Sequence, residues 1–381
     1  MDPMDQAAGP SLRAHFAALP DPRLDRTKRH QLLDILTIAI CAVICGADSW
    51  VDVELFGHAK LTWLRTFLAL PHGIPSHDTF GRVFAALDPR AFEQCFLAWV
   101  RAVVTHTAGE VVALDGKTLR RSHDRSAGQA ALHLVSAWAE RNRLVLGQVA
   151  VDAKSNEITA LPALLQVLAL EGCIVTIDAI GCQTAIAQAI VDRGGDYVLA
   201  LKANQPALHD AVATYFAEAR ARAFRDVAHD YHRTVDGGHG RVEVRQHWTV
   251  ADPELLAYLD PTGAWAGLAS VGLVERERRT AAETTREAHY YLSSLDGKAA
   301  RFAHAVRSHW GIENRLHWVL DIAFREDDSR VRVGHAAENL AVLRHIALNL
   351  LRQDRSVKAG IKAKRLKAGW DQAYLLKILD G

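Results

Sequence analysis

The hydrophobic spacing of the chain changes near Glu110, and this change constrains the fold more than any other feature of the sequence. Across residues 11–105, apolar side chains recur near the 3.6-residue period of an amphipathic helix. From residue 110 onward the pattern becomes short apolar runs separated by turn residues, which is typical of strands. Helical spacing returns after Lys298 and continues almost to the end. The sequence therefore predicts an α/β fold with helical regions before and after a core that contains a sheet.

The predicted core begins with three short strands joined by turns, an arrangement that favours an antiparallel meander. Two later strands are almost continuously apolar, as expected for strands that are buried on both faces of a sheet. A further group of strand patterns predicts a β-rich insertion over about 204–295. The predicted elements are strands at 111–114, 131–139, 144–151, 173–177, 197–201, 241–250, 268–275 and 287–293, and helices at 161–170, 185–191, 299–324 and 337–351.

Composition limits the class of protein that the chain can belong to. Its 381 residues are 49% hydrophobic and 23% charged, which is typical of a globular protein. Lys and Arg number 45 against 44 Asp and Glu, so the chain is not uniformly basic, and any contact with nucleic acid must depend on local charge. No apolar run approaches the roughly 20 residues of a membrane span, and no signal peptide is visible. We therefore expect a cytoplasmic protein without a membrane partner.

Two aspartates follow apolar strands of the predicted sheet. Asp115 ends the run VVALD and Asp178 ends the run IVTID. Side chains at strand ends of one sheet are typical of ligand sites. Each aspartate also has a plain structural explanation, because Asp is common where a strand meets a turn. The two acids together, however, indicate a site with chemical function.

Glu313 is the leading candidate for a third carboxylate at the same site. In the predicted helix it would share one largely buried face with Trp310, His317 and Leu320. Clustered carboxylates repel one another unless a proton or a cation lies between them, and Mg²⁺ prefers oxygen ligands of this kind. Three such groups could complete a two-metal site, in which one ion activates water and the other stabilises the leaving oxygen.

Motifs along nearly the whole chain, from about residue 16 to residue 379, carry a resemblance to a known family. They are LPDPR, RHQLLDILTIAICAVICGADSW, GIPSHDTFGRVFAALDP, DGKTLR, KSNEITALPALL, TIDAIGCQ, YVLALKANQP, HGRVEVR, YYLSSL, HWGIENRLHWVLD and LAVLRHIALNLL. In sequence and order these resemble DDE-type insertion-sequence transposases of the family that includes the H-repeat-associated proteins. The resemblance implies an RNase H-like catalytic core that is interrupted by the β-rich insertion. It also implies that Asp115, Asp178 and Glu313 are the catalytic triad and bind Mg²⁺, with Mn²⁺ as a substitute.

The same resemblance implies a domain organisation and an activity. A helical transposase-associated domain would occupy residues 11–105, the DDE catalytic domain 110–335 and a helical basic segment 336–381. The enzyme would nick DNA at the ends of an insertion-sequence element as an endonuclease and then join the freed 3′ hydroxyl to another phosphorus. Its partners would be double-stranded DNA, namely the inverted-repeat ends of its own element and a target, bound by a dimer at the nucleoid.

Polar residues around the predicted triad are candidates for DNA binding, because Arg and Lys so often bind phosphate. Related transposases carry Tyr, Arg and Lys at fixed spacing around the catalytic glutamate, where this chain has Val306, His309 and Leu320. Nearby basic side chains, with His317, could replace the missing contacts. The predicted DNA-binding residues are Lys117, Arg120, Lys202, Asn204, Arg307, His309 and Arg315. His239 and Arg241 are weaker candidates, since Gly-His-Gly is also an ordinary hairpin loop.

The C-terminal segment has the strongest local charge, and its role stays open. Residues 344–367 hold eight basic side chains and one acid, a balance of 8 − 1 = +7. A contact with the DNA backbone and a solvated helix face both explain this balance. Two alternatives to an active transposase also stay open. One is a catalytically silent DNA-binding remnant or regulator of a mobile element, and the other is an RNase H-like nuclease without strand transfer.

Overall fold

The computed structural model describes residues 12–104, 108–123, 128, 130–151, 156–238 and 240–380. Its elements, in chain order, are α1 Leu12–Phe16, α2 Leu32–Cys45, α3 Trp50–Ala59, α4 Leu61–Leu64, α5 His77–Ala86, α6 Pro89–Val103, β1 Val111–Thr118, β2 His133–Ala139, β3 Leu144–Val151, α7 Glu157–Val167, β4 Ile174–Ile177, α8 Thr184–Val191, β5 Asp196–Leu201, α9 Pro206–Ala221, β6 Asp230–Gly238, β7 Arg241–Val250, α10 Pro253–Leu259, β8 Ser270–Thr280, β9 Thr284–Ser293, α11 Ala299–Gly311, α12 Trp318–Phe324, α13 Ala336–Gln353, α14 Ile361–Trp370 and α15 Gln372–Asp380. A π-helical turn, Ile312–His317, joins α11 to α12.

Within the described residues, nine strands form one sheet in the order β3-β2-β1-β4-β5-β9-β8-β7-β6. Strands β1 to β3 are antiparallel, whereas β1, β4 and β5 run parallel to one another. The meander and the two buried strands predicted from sequence are therefore confirmed. The α/β fold with helices before and after the sheet is confirmed as well.

The predicted β-rich insertion differs from the structure in two respects. Its strands extend the core sheet, because β9 pairs with β5 in antiparallel fashion. It also contains the 16-residue helix α9, which buries Val212, Phe216 and Ala219 and was not predicted. Strand β6 was missed because most of its residues are exposed, so its sequence lacks the alternation of a half-buried strand.

The helices at the two ends of the chain share one hydrophobic core. Helix α13 lies at its centre and is almost entirely buried. Its Asn349 side chain both donates to and accepts from the backbone of Val145 at 2.9 Å, so it pairs with the edge strand β3. Its Asn339 amide donates to the carbonyls of Phe84 and Leu87 at the end of α5. These contacts cover an exposed sheet edge and a helix end, two places where unpaired backbone groups would be costly.

Helices α7 and α8 pack on the opposite face of the sheet from α11. Val112 and Leu114 of β1 face the core formed with α7 and α8. Val111, by contrast, belongs to the hydrophobic cluster that includes Phe302 and Val306 of α11 on the other face. The two-residue alternation of a strand therefore places Asp115 on the α11 side of the sheet.

The basic C-terminal segment is not a uniformly solvated surface. Arg344, Lys364 and Arg365 are at most 6% exposed. Lys364 Nζ donates to the carbonyl of Leu351 at 2.9 Å, and an Arg365 guanidinium nitrogen donates to the carbonyl of Val43 at 2.7 Å. These three cations therefore serve internal packing. The expectation of a DNA contact can apply only to the exposed members of the segment, which are Arg355, Lys358 and Lys362, and to the half-buried Arg352 and Lys367.

No single helix in the described part of the chain is long and apolar enough to cross a membrane. Helices α2 and α3 reach that length and hydropathy only as a pair, and the pair is bent by 96°.

Replacing Lys364 by Gln is expected to lower the free energy of unfolding by about 2 kcal/mol, because it removes the buried ammonium group that donates to the carbonyl of Leu351 and lies 3.6 Å from the Asp354 carboxylate, which then keeps only the exposed Lys377 as a cationic partner among the described residues. Lys362→Gln, on the same helix but exposed, is the matched control and should change stability by less than about 0.5 kcal/mol. Thermal and urea unfolding measure both. Equal stability of the two variants would contradict the internal role of Lys364.

Candidate active site

A cavity of about 710 Å³ lies between the sheet and the helix α11, and all three predicted acids line it. Asp115 comes from β1, Asp178 directly follows β4, and Glu313 comes from the π-helical turn after α11. The remaining lining comes from β4 to β9, from α11 and from the π-helical turn.

The parallel pairing of β1 with β4 fixes the two aspartates side by side. Leu114 pairs with Ile177, so the next position of each strand carries a carboxylate. Asp115 does not end its strand, since β1 continues to Thr118, but it is the first residue that is not fully buried. Asp178 also begins a short 3₁₀ turn, in which its carboxylate accepts from the backbone N–H of Ile180 at 3.2 Å.

Glu313 is exposed, so the expectation that it lies on a buried helix face is wrong. The π turn from Ile312 to His317 is wider than an α-helical turn and shifts the register of the side chains that follow it. Leu320 is buried, whereas Trp310 is 43% exposed and opens with Glu313 onto the cavity. π turns of this kind recur at functional sites, because they re-aim side chains without ending the helix.

Burial and neighbouring carboxylates change the acidity of Asp115. Burial first, and then the charges of Asp178 and Glu313, raise its pKa to about 7. The nearest basic group is neutral, since burial lowers the pKa of His317 to about 4. His317 Nδ1 lies 3.4 Å from Asp115 Oδ2, and its other ring nitrogen is buried without a hydrogen-bond partner among the described residues. His317 therefore does not neutralise a negative charge at Asp115.

The donor chemistry of this cluster fits a hard divalent cation. Three carboxylates supply the oxygen ligands that Mg²⁺ prefers, and the raised pKa of Asp115 is typical of carboxylates that share a site without a cation. Within the described residues, no three His, Cys, Asp or Glu side chains are already arranged to hold a metal ion. Binding would therefore require these side chains to move towards one another.

The predicted DNA-binding residues divide into two groups. Lys202, Arg307 and His309 line the cavity. The other four lie outside its lining and have partners within the protein. These pairs are Lys117 with Glu326, Arg120 with Asp327, Asn204 with the carbonyl of Ala179, and Arg315 with Glu140. His239 lies outside the described residues.

Lys117 has the most constrained position of these four. Its ammonium group lies 2.8 Å from Glu326, contacts Asp321 and lies 3.8 Å from Asp327. Only 12% of its side chain is exposed. A contact with DNA phosphate would require Lys117 to leave this acidic cluster, so its position indicates a structural role.

The predicted site residues include little of the strand that forms the far wall of the cavity, since only Arg241 was a candidate there. Strand β7 directs Arg241, Glu243, Arg245 and His247 to the cavity at two-residue spacing. The sequence RVEVRQHW carries this alternation of charged and less polar residues, so the signal was available. Arg276 of β8 completes the wall and could not be singled out, because it lies in the charged run ERERR.

The fold and the site define a class of protein. A family model described as "Transposase DDE domain" matches residues 106–350, and a model described as "DDE_Tnp_1-associated" matches residues 13–100. The chain belongs to the DDE transposase family, as its motifs predict.

Relatives from bacteria are similar over almost the full length. The Escherichia coli K12 protein named "H repeat-associated putative transposase YhhI" is 41% identical over 97% of this chain and 98% of its own. The protein named "Putative transposase YncI" from Escherichia coli O157:H7 is also 41% identical, over 97% of this chain and 94% of its own. A solved piggyBac transposase synaptic complex with hairpin DNA aligns to 97% of this chain and 78% of that one. Its TM-score is 0.42 at 11% identity, which is too distant to establish a common fold.

Asp115→Asn is expected to stabilise the protein at pH 8 in EDTA by on the order of 2 to 4 kcal/mol, and to have little effect near pH 4. Asn stabilises the protein because the Asp115 carboxyl group ionises near pH 4 in the unfolded chain but only near pH 7 in the folded one. The wild type therefore loses stability as the pH rises through this window, whereas Asn does not ionise. Thermal unfolding at both pH values measures the difference, with the exposed Asp210→Asn as control. An equal effect at both pH values would contradict the assignment.

Proposed function

We propose that the protein is a DNA transposase that cleaves and joins phosphodiester bonds at the ends of an insertion-sequence element. The observation that carries this proposal is that Asp115, Asp178 and Glu313 line one cavity, although they are 178 − 115 = 63 and 313 − 178 = 135 residues apart in sequence. Membership of the DDE transposase family supports the reaction class. Phosphoryl transfer needs mainly positioning and neutralisation of charge, which a carboxylate-held metal pair supplies.

An RNase H-like core is part of this proposal. The strand order β3-β2-β1-β4-β5, with three antiparallel strands followed by parallel ones, supports it. The proposed domains are 11–105, 110–335 with the insertion at about 204–295, and 336–381. Residues 11, 105 and 381 at their boundaries lie outside the described part of the chain.

We propose that Asp115, Asp178 and Glu313 hold Mg²⁺, with Mn²⁺ as a substitute. When bound, the ions would activate the attacking oxygen and stabilise the leaving one. The sheet holds Asp115 and Asp178 next to each other, so these two acids form the fixed part of the site. Glu313 is exposed at the cavity, and its longer side chain can turn towards the aspartates. Neutral His317 contacts Asp115 and limits the orientations that its carboxylate can adopt.

The proposed partner is double-stranded DNA, as the inverted-repeat ends of the element and as a target, bound by a dimer at the nucleoid. Lys202, Arg307 and His309 line the same cavity as the acids and are the proposed DNA contacts of the site. A DNA role for Lys117, Arg120, Asn204 and Arg315 would require each to exchange an internal partner for DNA.

Two alternative functions predict different outcomes in one assay. A DNA-binding remnant would bind element ends without nicking them, and a nuclease would nick them without joining. The presence of all three acids at one cavity favours an enzyme.

Glu313→Gln is expected to reduce nicking and joining by at least about 10²-fold while leaving binding to element ends largely intact, because Gln keeps the size of the side chain and removes its charge. Cleavage and joining are followed on a labelled element end in Mg²⁺ and in Mn²⁺, with a gel-shift assay on the same preparation. Glu218→Gln is the matched control, since Glu218 is exposed on α9 and does not line the cavity.

Retention of wild-type cleavage by Glu313→Gln would remove this residue from the mechanism. Binding by the wild type without nicking in either metal would favour the remnant. Nicking without joining would favour the nuclease.

Mg²⁺ is expected to stabilise the wild type against thermal unfolding at pH 8, by about 2.7 kcal/mol when its concentration is 100 times Kd. The ion would relieve the repulsion that raises the pKa of Asp115. Asp178→Asn should lose most of this stabilisation, and Glu218→Gln should retain it. Equal stabilisation of all three proteins would indicate that Mg²⁺ binds elsewhere.

A further inference from the structure

Four arginines form the wall of the cavity opposite the acids. We call Arg241, Arg245, Arg276 and Arg307 the arginine wall. Arg241 and Arg245 come from β7, Arg276 from β8, and Arg307 from α11. The cavity therefore has one acidic side, formed by the proposed triad, and one side rich in guanidinium groups.

The arginine wall is organised around a buried carboxylate. Glu243 is 5% exposed, contacts Arg245, and lies 3.1 Å from Arg276 and 3.6 Å from Arg241. Although burial opposes it, the charges of Arg245 and Arg276 hold the pKa of Glu243 below its usual range. The carboxylate is therefore ionised and holds three guanidinium groups in place.

The acids of the wall do not balance its cations. Asp236 lies 3.3 Å from Arg307 and also contacts Arg245, so the wall pairs its four arginines with two carboxylates, Asp236 and Glu243, a formal surplus of 4 − 2 = +2 within the wall. Glu287 reaches Arg276 only at 3.9 Å, is exposed, and lies outside the cavity lining. Arg245 and Arg276 are also directly opposite each other on neighbouring strands, a like-charge pairing that is unfavourable in a sheet.

Arg276 of the cavity lining carries a buried hydrogen-bond donor without a partner in the described part of the chain. Its Nε–H is buried and has no partner among the described residues. Its guanidinium carbon lies 5.4 Å from the centre of the Trp310 ring, which holds the planar group in a fixed orientation. Trp310 is three residues from Glu313, so Arg276 is linked through one side chain to the turn that carries the proposed catalytic glutamate.

We propose that the arginine wall is a phosphate-binding site, which holds the DNA backbone next to the phosphodiester bond at the acids. This inference rests on the proposed function for the presence of DNA in the cavity. Guanidinium groups bind phosphate through paired hydrogen bonds, and a surplus of positive charge is suited to an anion. Three of the four arginines belong to β7 and β8 of the insertion, so the insertion, together with α11, acts as the clamp of the active site. Because the arginines and the proposed triad lie on different sides of the cavity, the contact with the DNA backbone is separate from the proposed metal site.

The test measures the salt dependence of binding to a labelled random-sequence duplex, between about 50 and 200 mM salt in EDTA. Arg276→Gln should weaken binding by on the order of tenfold and reduce the log-log slope by about 0.9, the value for one lost phosphate contact. Arg279→Gln is the matched control, because Arg279 is on the same strand, points to the opposite face and pairs with Glu277. Its slope should not change.

Arg241→Gln is a second variant in case Arg276→Gln does not fold, since Arg241 is 47% exposed and lies further from Glu243. It should also lower the slope. Thermal unfolding of each variant separates loss of structure from loss of binding.

The outcomes separate the wall from the proposed function. An unchanged slope for both Arg276→Gln and Arg241→Gln, or equal slopes for Arg276→Gln and Arg279→Gln, would overturn the phosphate-binding site even if the protein cleaves DNA. If the arginine variants have lowered salt slopes but the wild type never cleaves DNA, the result would support the phosphate-binding site and count against the proposed transposase activity. A wild type that does not bind DNA would overturn both.

Discussion

The buried ion pair between Lys117 and Glu326 joins the strand that carries Asp115 to the C-terminal helices. Lys117 follows Asp115 by two residues and lies on the same face of β1. Glu326 is 2% exposed and also lies 3.8 Å from Arg344 of α13. Loss of one partner from a buried ion pair costs several kcal/mol, so separation of β1 from α13 would be strongly unfavourable. The position of Asp115 therefore depends on helices that follow it by more than 200 residues.

The continuous sheet explains how one cavity can combine two opposite kinds of charge. Because β9 pairs with β5, the strands of the insertion continue the surface that begins at β1. The side chains of Asp115 and of Arg245 consequently lie on the same face, with α11 above both. The helix can approach closely because Gly272 of β8 has no Cβ where the Phe302 ring packs. Strand pairing thus fixes the backbone of Asp115 and Asp178 relative to that of the three arginines on β7 and β8.

Much of the fold and the neighbouring positions of Asp115 and Asp178 could be predicted, because they depend on spacing within short segments. The runs before Asp115 and Asp178 end where burial ends, and parallel pairing then brings the two residues together. The exposure of Glu313 could not be predicted, since a regular helix would bury its face and only the π turn redirects it. The partners of Lys117 could not be predicted either, because Glu326 is 209 residues away in sequence.

Two lysines of helix α14 show what the sequence determined and what the tertiary structure decided. The sequence alone determined that Lys362 and Lys364 lie in a basic helical segment. Only the folded structure decided that Lys362 is exposed while Lys364 is buried against Leu351 and Asp354. Helical spacing depends on residues within one or two turns, so it can be inferred from the chain. Desolvation and ion pairing depend on groups that folding brings from distant positions, so the availability of a charge for DNA was decided by the tertiary structure.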